Sequence, residues 1–368
     1  MALTKVTTGT IADDSIQSLK NRNLIINGAM RVAQRSTSST TSGYGTVDRF
    51  HVQYSQVSVT QTQETLSSGD PYDLGFRNFL RATNTSVSAA TNAYCQISQR
   101  IEAQNVACSG WNYLSSSSYV TLSFWARSSL AGTYVSYLRT SDGTLKSNSF
   151  EFTLPANTWT KVTKTFLGDS SLTINNDNGD GMNAFIVPYY GTDLTDSGHT
   201  DNVWQTYSST DISSDFAQNW CNTASATFDL TGVQLEVGEV VTPFEHESYG
   251  QTLVKCQRYY EKSYNDGVAP ATSTYVGVYT NGGMVNMPTA NYTTRAGAVY
   301  KVTKRAVPTI VTYDTAGNAG KCNYPDTTTN KTFTVVHSGE NSFTAETSNL
   351  VNGTDTRCYF HFTADSEL

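Results

Sequence analysis

The sequence predicts an all-β protein built around a β-sandwich, and three observations carry this prediction. Charged residues make up only 15% of the 368 residues, below the roughly 25% that is usual in globular domains. Ser, Thr, Asn, Gly and 22 tyrosines are abundant instead; Thr and Tyr favour strands, and Asn and Gly favour tight turns. Short alternating apolar segments between turn signals recur along the chain, as in sandwiches.

Composition also excludes several classes of function. The net charge is −7 and no Lys/Arg cluster stands out, so we expect no nucleic-acid partner. No apolar run approaches the ~18 residues of a transmembrane helix, so we expect no membrane insertion. The N-terminus lacks an apolar signal core, which indicates folding in a cytoplasm. The six cysteines form no CxxC pair, so we expect free thiols and no cofactor.

The first element, residues 1–20, is too short to bury a core of its own. A short helix is expected over 13–19, capped by one of two aspartates. The segment is either a flexible end or an ordered arm that docks on a partner, and the apolar side chains of Ile11, Ile16 and Leu19 favour the arm.

Residues 21–248 form the second element, a series of about eight or more strands. In the segment 119–129, Val120, Leu122 and Phe124 alternate on one face. We assign Trp125 and Trp159 to the core, and not to a ligand site, because they also lie in alternating strands. A Ser-Asp-Gly turn at 141–143 joins two strands as a hairpin.

A helix forms the third element. Helical spacing without Gly or Pro begins after Gly250, and Asn265-Asp266-Gly267 ends the segment. We predict one helix over about 249–261, within a linker of residues 249–266. Residues 267–368 return to strand patterning and predict a second, smaller β-domain.

Three segments together resemble a known family: residues 23–50, which contain NGAMRVAQR and VDRF; residues 122–129 with 159–169; and residues 232–264. The most specific part is QLEVG, TPFE and CQRYY within the third segment. The chain resembles the jelly-roll tail fibre and virion appendage proteins of tailed bacteriophages over about residues 21–265. The middle of this region is also similar to carbohydrate-binding jelly rolls.

The resemblance implies a structural protein of the virion, assembled in the bacterial host cytoplasm. It implies that residues 1–20, through Ile11, Ile16 and Leu19, attach the protein to tail or portal-proximal virion proteins. It also implies a homotrimer and contact with a host-surface glycan. We expect the C-terminal domain, farthest along the chain from the arm, to be the receptor-binding tip. The location of the protein on the virion remains undecided between a short appendage on the tail and one on the head.

The sequence favours no enzymatic activity. None of the five histidines lies in a metalloprotease motif, and no serine lies in GxSxG. Two alternatives remain open: a capsid fibre or decoration protein without a specific receptor, and a glycan-degrading enzyme whose two carboxylates meet only in the fold.

A weak calcium-site candidate lies in NNDNGDG, where Asn176, Asn178 and Asp180 alternate like the start of a calcium loop. The glutamate that would close an EF-hand is replaced by Val187. The alternative interpretation is an Asx-rich turn before the next strand.

Glycan-binding candidates lie in the long polar segment that begins at residue 188. Sugars stack on aromatic rings while neighbouring carboxylates and amides bind hydroxyls, and loops on rigid scaffolds often carry recognition. The candidates are Tyr189, Tyr190, Asp193, Trp204 and Tyr207, and in the C-terminal domain Tyr324. The alternative is that these residues cover one end of the sandwich or form a subunit interface.

Overall fold

The computed structural model describes residues 21–280, 292–324, 330–350 and 357–368. The predicted arm, with Ile11, Ile16 and Leu19, lies outside these residues. Strands dominate the described chain, which confirms the predicted class: a jelly-roll sandwich, a linker helix and a smaller β-domain. No described helix is long and apolar enough to cross a membrane.

Twelve strands build the sandwich: β1 Ser38–Ser39, β2 His51–Ser55, β3 Ser58–Thr65, β4 Asn78–Ser86, β5 Tyr94–Glu102, β6 Tyr119–Ser128, β7 Gly132–Thr140, β8 Lys146–Leu154, β9 Thr160–Leu167, β10 Asp180–Tyr190, β11 Gln205–Thr206 and β12 Thr227–Val237. The first sheet has the order β1-β3-β4-β12-β6-β9, and the second has the order β11-β8-β7-β10-β5-β2. All neighbouring strands within both sheets are antiparallel. Short helices α1 (Asp70–Asp73) and α2 (Ala103–Ala107) connect strands.

The main core lies between the two sheets, and strand alternation determines which residues enter it. Successive side chains point to opposite faces of a sheet. On β6, Leu122 and Phe124 therefore enter the core, where both are fully buried. Burying such a side chain stabilises the fold by about 1.5–3 kcal/mol.

A long connection, residues 191–219, folds back over the outer face of the second sheet. Its Ile212 packs against Tyr137 of β7 and Phe185 of β10 in a separate apolar cluster, and the two rings stack with centroids 4.3 Å apart. This connection contains β11, which pairs with the edge strand β8. The second sheet is thus covered on both faces.

The linker helix α3 spans Tyr249–Gln257. Ser248 and Gln251 form a capping box, in which each side chain bonds the other's backbone N–H. The helix ends earlier than the sequence predicts, because residues 260–262 already pair with the last strand of the chain.

The described residues of the C-terminal part form nine strands: β13 Tyr260–Lys262, β14 Tyr279–Thr280, β15 Tyr292–Val299, β16 Thr309–Tyr313, β17 Lys321–Cys322, β18 Lys331–Thr332, β19 Thr334–Ser338, β20 Ser342–Leu350 and β21 Tyr359–Asp365. Strand β21 pairs with β13, β14 and β16, while β20 lies between β15 and β19. Phe343, Phe360 and Phe362 form the centre of its core. The exact boundaries of the predicted domains remain predictions.

The last residues of the chain return to the jelly roll. The guanidinium of Arg49 is buried, pairs with Glu367 and lies 3.4 Å from the ring centroid of Tyr259. Arg258 forms a two-pronged ion pair with the buried Glu102, at 2.7 and 2.8 Å. These two ion pairs join residues 318 and 156 positions apart, and they fix the C-terminal domain against the sandwich.

The described chain also begins at this junction. The backbone N–H groups of Asn21, Arg22 and Asn23 donate to the carboxylate of Glu245 at 2.5–3.0 Å. Asn21 lines the same cleft as Arg258 of the junction. The described chain therefore begins beside the linker helix, and the assignment of the C-terminal domain as the receptor-binding tip stays a prediction.

Asp48, at the centre of the junction, makes stability there depend on pH. Its carboxylate accepts hydrogen bonds from the backbone and side chain of Gln34. Burial raises its pKa to about 6, although Arg35 opposes the shift. The unfolded carboxyl loses its proton near pH 4. Stability is therefore lost as the pH rises from about 4 to about 6, and the cost persists above that window.

Asp48→Asn should remove this dependence. As the pH rises from about 4 to about 7, the variant's free energy of unfolding should increase by about 2 kcal/mol relative to that of the wild type, so the variant becomes relatively more stable. Urea denaturation of both proteins at each pH measures this, and comparing the two cancels contributions from other groups. A difference that stays constant with pH would contradict the assignment.

Candidate functional site

The outer face of the first sheet carries two tryptophans that lie outside the main core. Phe124 and Ala126 belong to the core between the sheets, so Trp125 projects from the opposite face. There it packs with Phe76 in a separate cluster, against which Trp159 is only partly buried. Trp125 is buried as predicted, with 9% of it exposed, but in this separate cluster rather than between the sheets, and Trp159 is only partly buried. The alternation of β6 already contained the signal, because Trp125 follows Phe124 directly.

A row of charged side chains crosses the same face. Asp229 of β12 is buried and accepts from Arg81 of β4, at 2.7 Å from Nε and 2.9 Å from Nη2. Arg127 of β6 also donates to Asp229, at 2.8 Å from Nε and 2.7 Å from Nη2. The hydrogen bond to Asp229 raises the pKa of Arg81. Two guanidinium groups thus share one carboxylate, which leaves an excess positive charge.

Aromatic rings border this row. The guanidinium carbon of Arg127 lies 4.7 Å from the ring centroid of Trp159, within range of a cation–π contact. Phe79 meets Trp159 edge to face at 5.5 Å. The side chain of Arg127 is 26% exposed, so it remains accessible to a ligand in solvent.

A groove of about 430 Å³ continues from this row along the sheet. It is lined by Leu74, Phe76, Ser123, Trp125, Lys161, Gly232, Val241, Thr242, Pro243, Phe244 and His246. Gly232 has φ +64°, and a Cβ there would lie 2.8 Å from the ring of Phe76 and 3.0 Å from that of Trp125. A glycine is therefore required for these two rings to occupy the floor of the groove.

Polar groups at the rim differ in charge. Lys161 lies directly across from Trp125 in the β6–β9 register, is exposed, and forms no ion pair within the described part of the chain. His246 packs against Phe76 and Phe244, with ring centroids 5.0 and 4.9 Å away. Partial burial lowers the pKa of His246, so the ring is neutral near pH 7.

This combination suits a ligand with apolar faces and hydroxyl or anionic groups. Ligand pockets of about 300–1,000 Å³ typically combine apolar walls with a few polar groups that fix orientation. The ring of Trp125 supplies the apolar floor, and Ser123 and Lys161 supply polar atoms beside it.

Two predicted glycan-binding residues are buried, which corrects the prediction for them. Tyr190 is 2% exposed, and its hydroxyl bonds Tyr137 and Gln96 under the connection that covers the second sheet. Tyr324 is 1% exposed. Neither ring presents a face to solvent.

The other four candidates lie in or next to the covering connection and are not brought into the groove. The indole N–H of Trp204 donates to the carbonyl of Leu167 at 2.7 Å. Tyr189 and Tyr207 are partly buried against apolar clusters. Asp193 is exposed and accepts from Thr91 at 2.9 Å. Their use by a ligand remains a prediction.

One of the three weak calcium-site candidates, Asn178, takes part in the contact between the sandwich and the C-terminal domain. The side-chain amide of Asn178 donates to the carbonyl of Arg305. Asp180 instead accepts from Asn183 at 3.1 and 3.2 Å, while Asn176 lies 3.9 Å from the thiol of Cys108. Among the described residues, no group of three His, Cys, Asp or Glu side chains is arranged to hold a metal.

A serine, a histidine and two aspartates meet beneath the connection over the second sheet. His199 Nε2 lies 2.6 Å from Ser149 Oγ, and His199 Nδ1 lies 2.6 Å from Asp211 Oδ1. Ser149 also donates to Asp201 at 2.5 Å. The arrangement resembles a hydrolase triad, but the serine and imidazole are buried and line none of the cavities described above. We interpret the group as a clasp that holds residues 191–219 on the sheet.

His199→Ala should loosen this clasp. The change leaves Ser149 and Asp211 without their ring partner, at a cost of about 1–3 kcal/mol. Hydrogen exchange and limited proteolysis should show faster opening confined to residues 191–219, while the neighbouring exposed Thr200→Ala should change neither. Unaltered exchange in His199→Ala would show that the connection is held by other contacts.

Comparisons with known proteins support no closer assignment. No protein family and no curated protein matches the sequence. Similar solved structures include the enzymatically active domain of tailspike protein 4 from bacteriophage CBA120, with 14% identity, 59% of this chain and 21% of that chain covered, and a TM-score of 0.32. This match therefore spans about a fifth of the tailspike chain.

Two further solved structures are similar. One is the N-terminal cellulose-binding domain of a Cellulomonas fimi β-1,4-glucanase, with 10% identity, 57% of this chain and 99% of that chain covered, and a TM-score of 0.29. The other is a cyclase from Fischerella, with 10% identity, 60% and 98% covered, and a TM-score of 0.34. TM-scores of this size carry no argument, so the fold assignment rests on the strand pairing of the chain itself.

Proposed function

We propose that this chain is a structural virion appendage protein of a tailed bacteriophage that binds a host-surface glycan through the outer face of its first sheet. Residues 1–20 attach it to tail or portal-proximal virion proteins, and three copies assemble into a short fibre. The groove floored by Trp125 carries the glycan part of this proposal. The sequence resemblance carries the virion part.

The groove supports binding more than hydrolysis. Glycoside hydrolases generally use a pair of carboxylates on either side of the scissile bond. The lining of the groove, all of it within the described part of the chain, contains no Asp or Glu. The composition of the lining therefore favours a surface that binds a glycan without cleaving it.

The test is binding of the full-length protein to a panel of purified bacterial surface polysaccharides. We expect saturable binding to at least one of them, without release of new reducing ends. A decoration protein without a receptor predicts no saturable binding to any polysaccharide. A glycan-degrading enzyme predicts reducing ends that accumulate with time.

The virion assignment needs a separate test. Antibody against the purified protein, detected by immunogold electron microscopy, should label the tails or fibres of virions. Label scattered over the head would favour a capsid fibre or decoration protein. Protein present in infected cells but missing from purified virions would overturn the assignment.

A further inference from the structure

The groove and the charged row together form one surface, and their charges define the class of ligand. Arg127 lies two residues from Trp125 on β6, and Lys161 lies opposite Trp125 on β9. Side chains in this diagonal relation lie about 7–8 Å apart. Arg127 and Lys161 therefore border the same patch of surface, between the rings of Trp125 and Trp159.

Asp229 does not neutralise this patch. Its one carboxylate is shared between Arg81 and Arg127, so the pair retains a net positive charge, to which Lys161 adds another. Two further acidic groups lie on this face. Glu64 faces the β4 side, opposite Phe79 in the β3–β4 register, and acts electrostatically on Arg81. Glu236 is opposite Thr121 in the β12–β6 register and is paired with Arg22. The positive charge is thus concentrated at the end nearest β9, on a chain whose net charge is −7.

We infer that the groove binds an acidic saccharide, with the carboxylate of a hexuronic-acid-type sugar between Arg127 and Lys161. Guanidinium groups match carboxylate geometry with paired N–H donors, and the Trp125 ring contacts the apolar face of the sugar. This inference rests on the proposed function and adds the chemical class of the ligand.

The probe is an oligogalacturonate, compared with its fully methyl-esterified form of the same length. Esterification removes the negative charge while keeping the sugar ring. The wild-type protein should bind the acid more tightly than the ester, by about fivefold, the range of an exposed ion pair. The preference should shrink when the salt concentration rises from about 0.1 M to about 1 M, because the screening length falls from about 10 Å to about 3 Å.

Lys161→Gln should reduce the preference for the acid over the ester. Lys161→Arg should restore the preference, which a merely structural role of the lysine would not predict. Lys301→Gln makes the same change of charge at an exposed position of the C-terminal domain and should have no effect. Arg127→Gln is a weaker test because it also removes a partner of Asp229.

The outcomes separate this inference from the proposed function. Equal binding of acid and ester, still dependent on Trp125, would overturn the acidic-sugar assignment and leave glycan binding intact. Dextran sulfate bound as tightly as the uronate would overturn the carboxylate assignment in favour of any polyanion. If Lys301→Gln abolished the preference and Lys161→Gln did not, the subsite would lie elsewhere. Failure of every polysaccharide to bind would overturn the proposed function as well.

Discussion

Replacing Trp125 by alanine should abolish glycan binding. The ring forms the floor of the groove on the outer face of the first sheet, and its removal takes away the apolar surface on which a sugar stacks. Buried aromatic anchors of binding sites typically contribute about 2–4 kcal/mol, which corresponds to a loss of affinity of about 30-fold or more. Titration of the best-bound polysaccharide against the wild type and the variant measures the change.

Two companion variants make this prediction specific. Trp125→Phe keeps an aromatic ring packed against Phe76 and should retain part of the affinity. Comparing it with Trp125→Ala shows whether the alanine variant loses binding because the stacking ring is gone or because the protein is unfolded. Gly232→Ala should weaken binding by displacing the two rings, since its Cβ would lie 2.8 Å from Phe76. Trp204→Phe, in the connection 191–219 and outside the groove lining, is the matched control and should bind normally. Strong loss in Trp204→Phe with none in Trp125→Ala would move the site to residues 191–219.

Replacing Lys304 by methionine should strongly destabilise the C-terminal domain. Its ammonium and the carboxylate of Glu261 are both completely buried and lie 2.6 Å apart. Burial lowers the pKa of Lys304, while Glu261 opposes this shift. The ammonium also donates to the carbonyl of Gln257, the last residue of α3. Removing one partner of such a pair leaves an uncompensated buried charge and costs about 3–5 kcal/mol.

The double variant Glu261→Gln, Lys304→Met tests whether the unpaired charge of Glu261 causes the loss of stability. The change Glu261→Gln removes the stranded charge but keeps a side-chain oxygen for the backbone N–H of Lys301, which donates to Glu261 at 3.1 Å. Most of the lost stability should therefore return, as measured by urea denaturation with hydrogen exchange to locate the change. Stability of Lys304→Met within about 1 kcal/mol of the wild type would show that this pair contributes little.

The class and many strands of the fold were predictable because they depend on local alternation. Leu122 and Phe124 mark the buried face of β6 without reference to any other strand. The start of α3 was equally local, since Ser248 and Gln251 form a capping box. The end of α3 could not be predicted locally, because residues 260–262 pair with β21, which lies about a hundred residues further along the chain.

The candidate site was not predicted, because it depends on which face of a sheet remains open. Alternation places Trp125 opposite Phe124 but does not say that residues 191–219 cover the second sheet rather than the first. The aromatic residues of that connection, among them Trp204 and Tyr207, therefore appeared more accessible from the sequence than they are. The charged row was also hidden, since Arg81, Arg127 and Asp229 come from three separate strands.

The segments that carry the sequence resemblance lie in two places: the first and part of the third at the junction of sandwich and C-terminal domain, and the second in β6 and β9. In the first of them, the side chain of Asn27 bonds the carbonyls of Val32 and Asp48. A Cβ at Gly28 would lie 2.0 Å from the carbonyl oxygen of Val233, so the turn requires glycine. The resemblance therefore covers both the way the two parts are joined and the strands that carry Trp125 and Lys161.

The most direct test of the account is competition for adsorption of the virion to its host. Purified full-length protein should block adsorption of virions to host cells in a saturable manner, and so should Trp204→Phe. Trp125→Ala, verified as folded, should fail to block at the same concentrations. Equal competition by Trp125→Ala would contradict the assignment of the receptor site to the first sheet, and failure of the wild-type protein to compete would contradict host attachment itself.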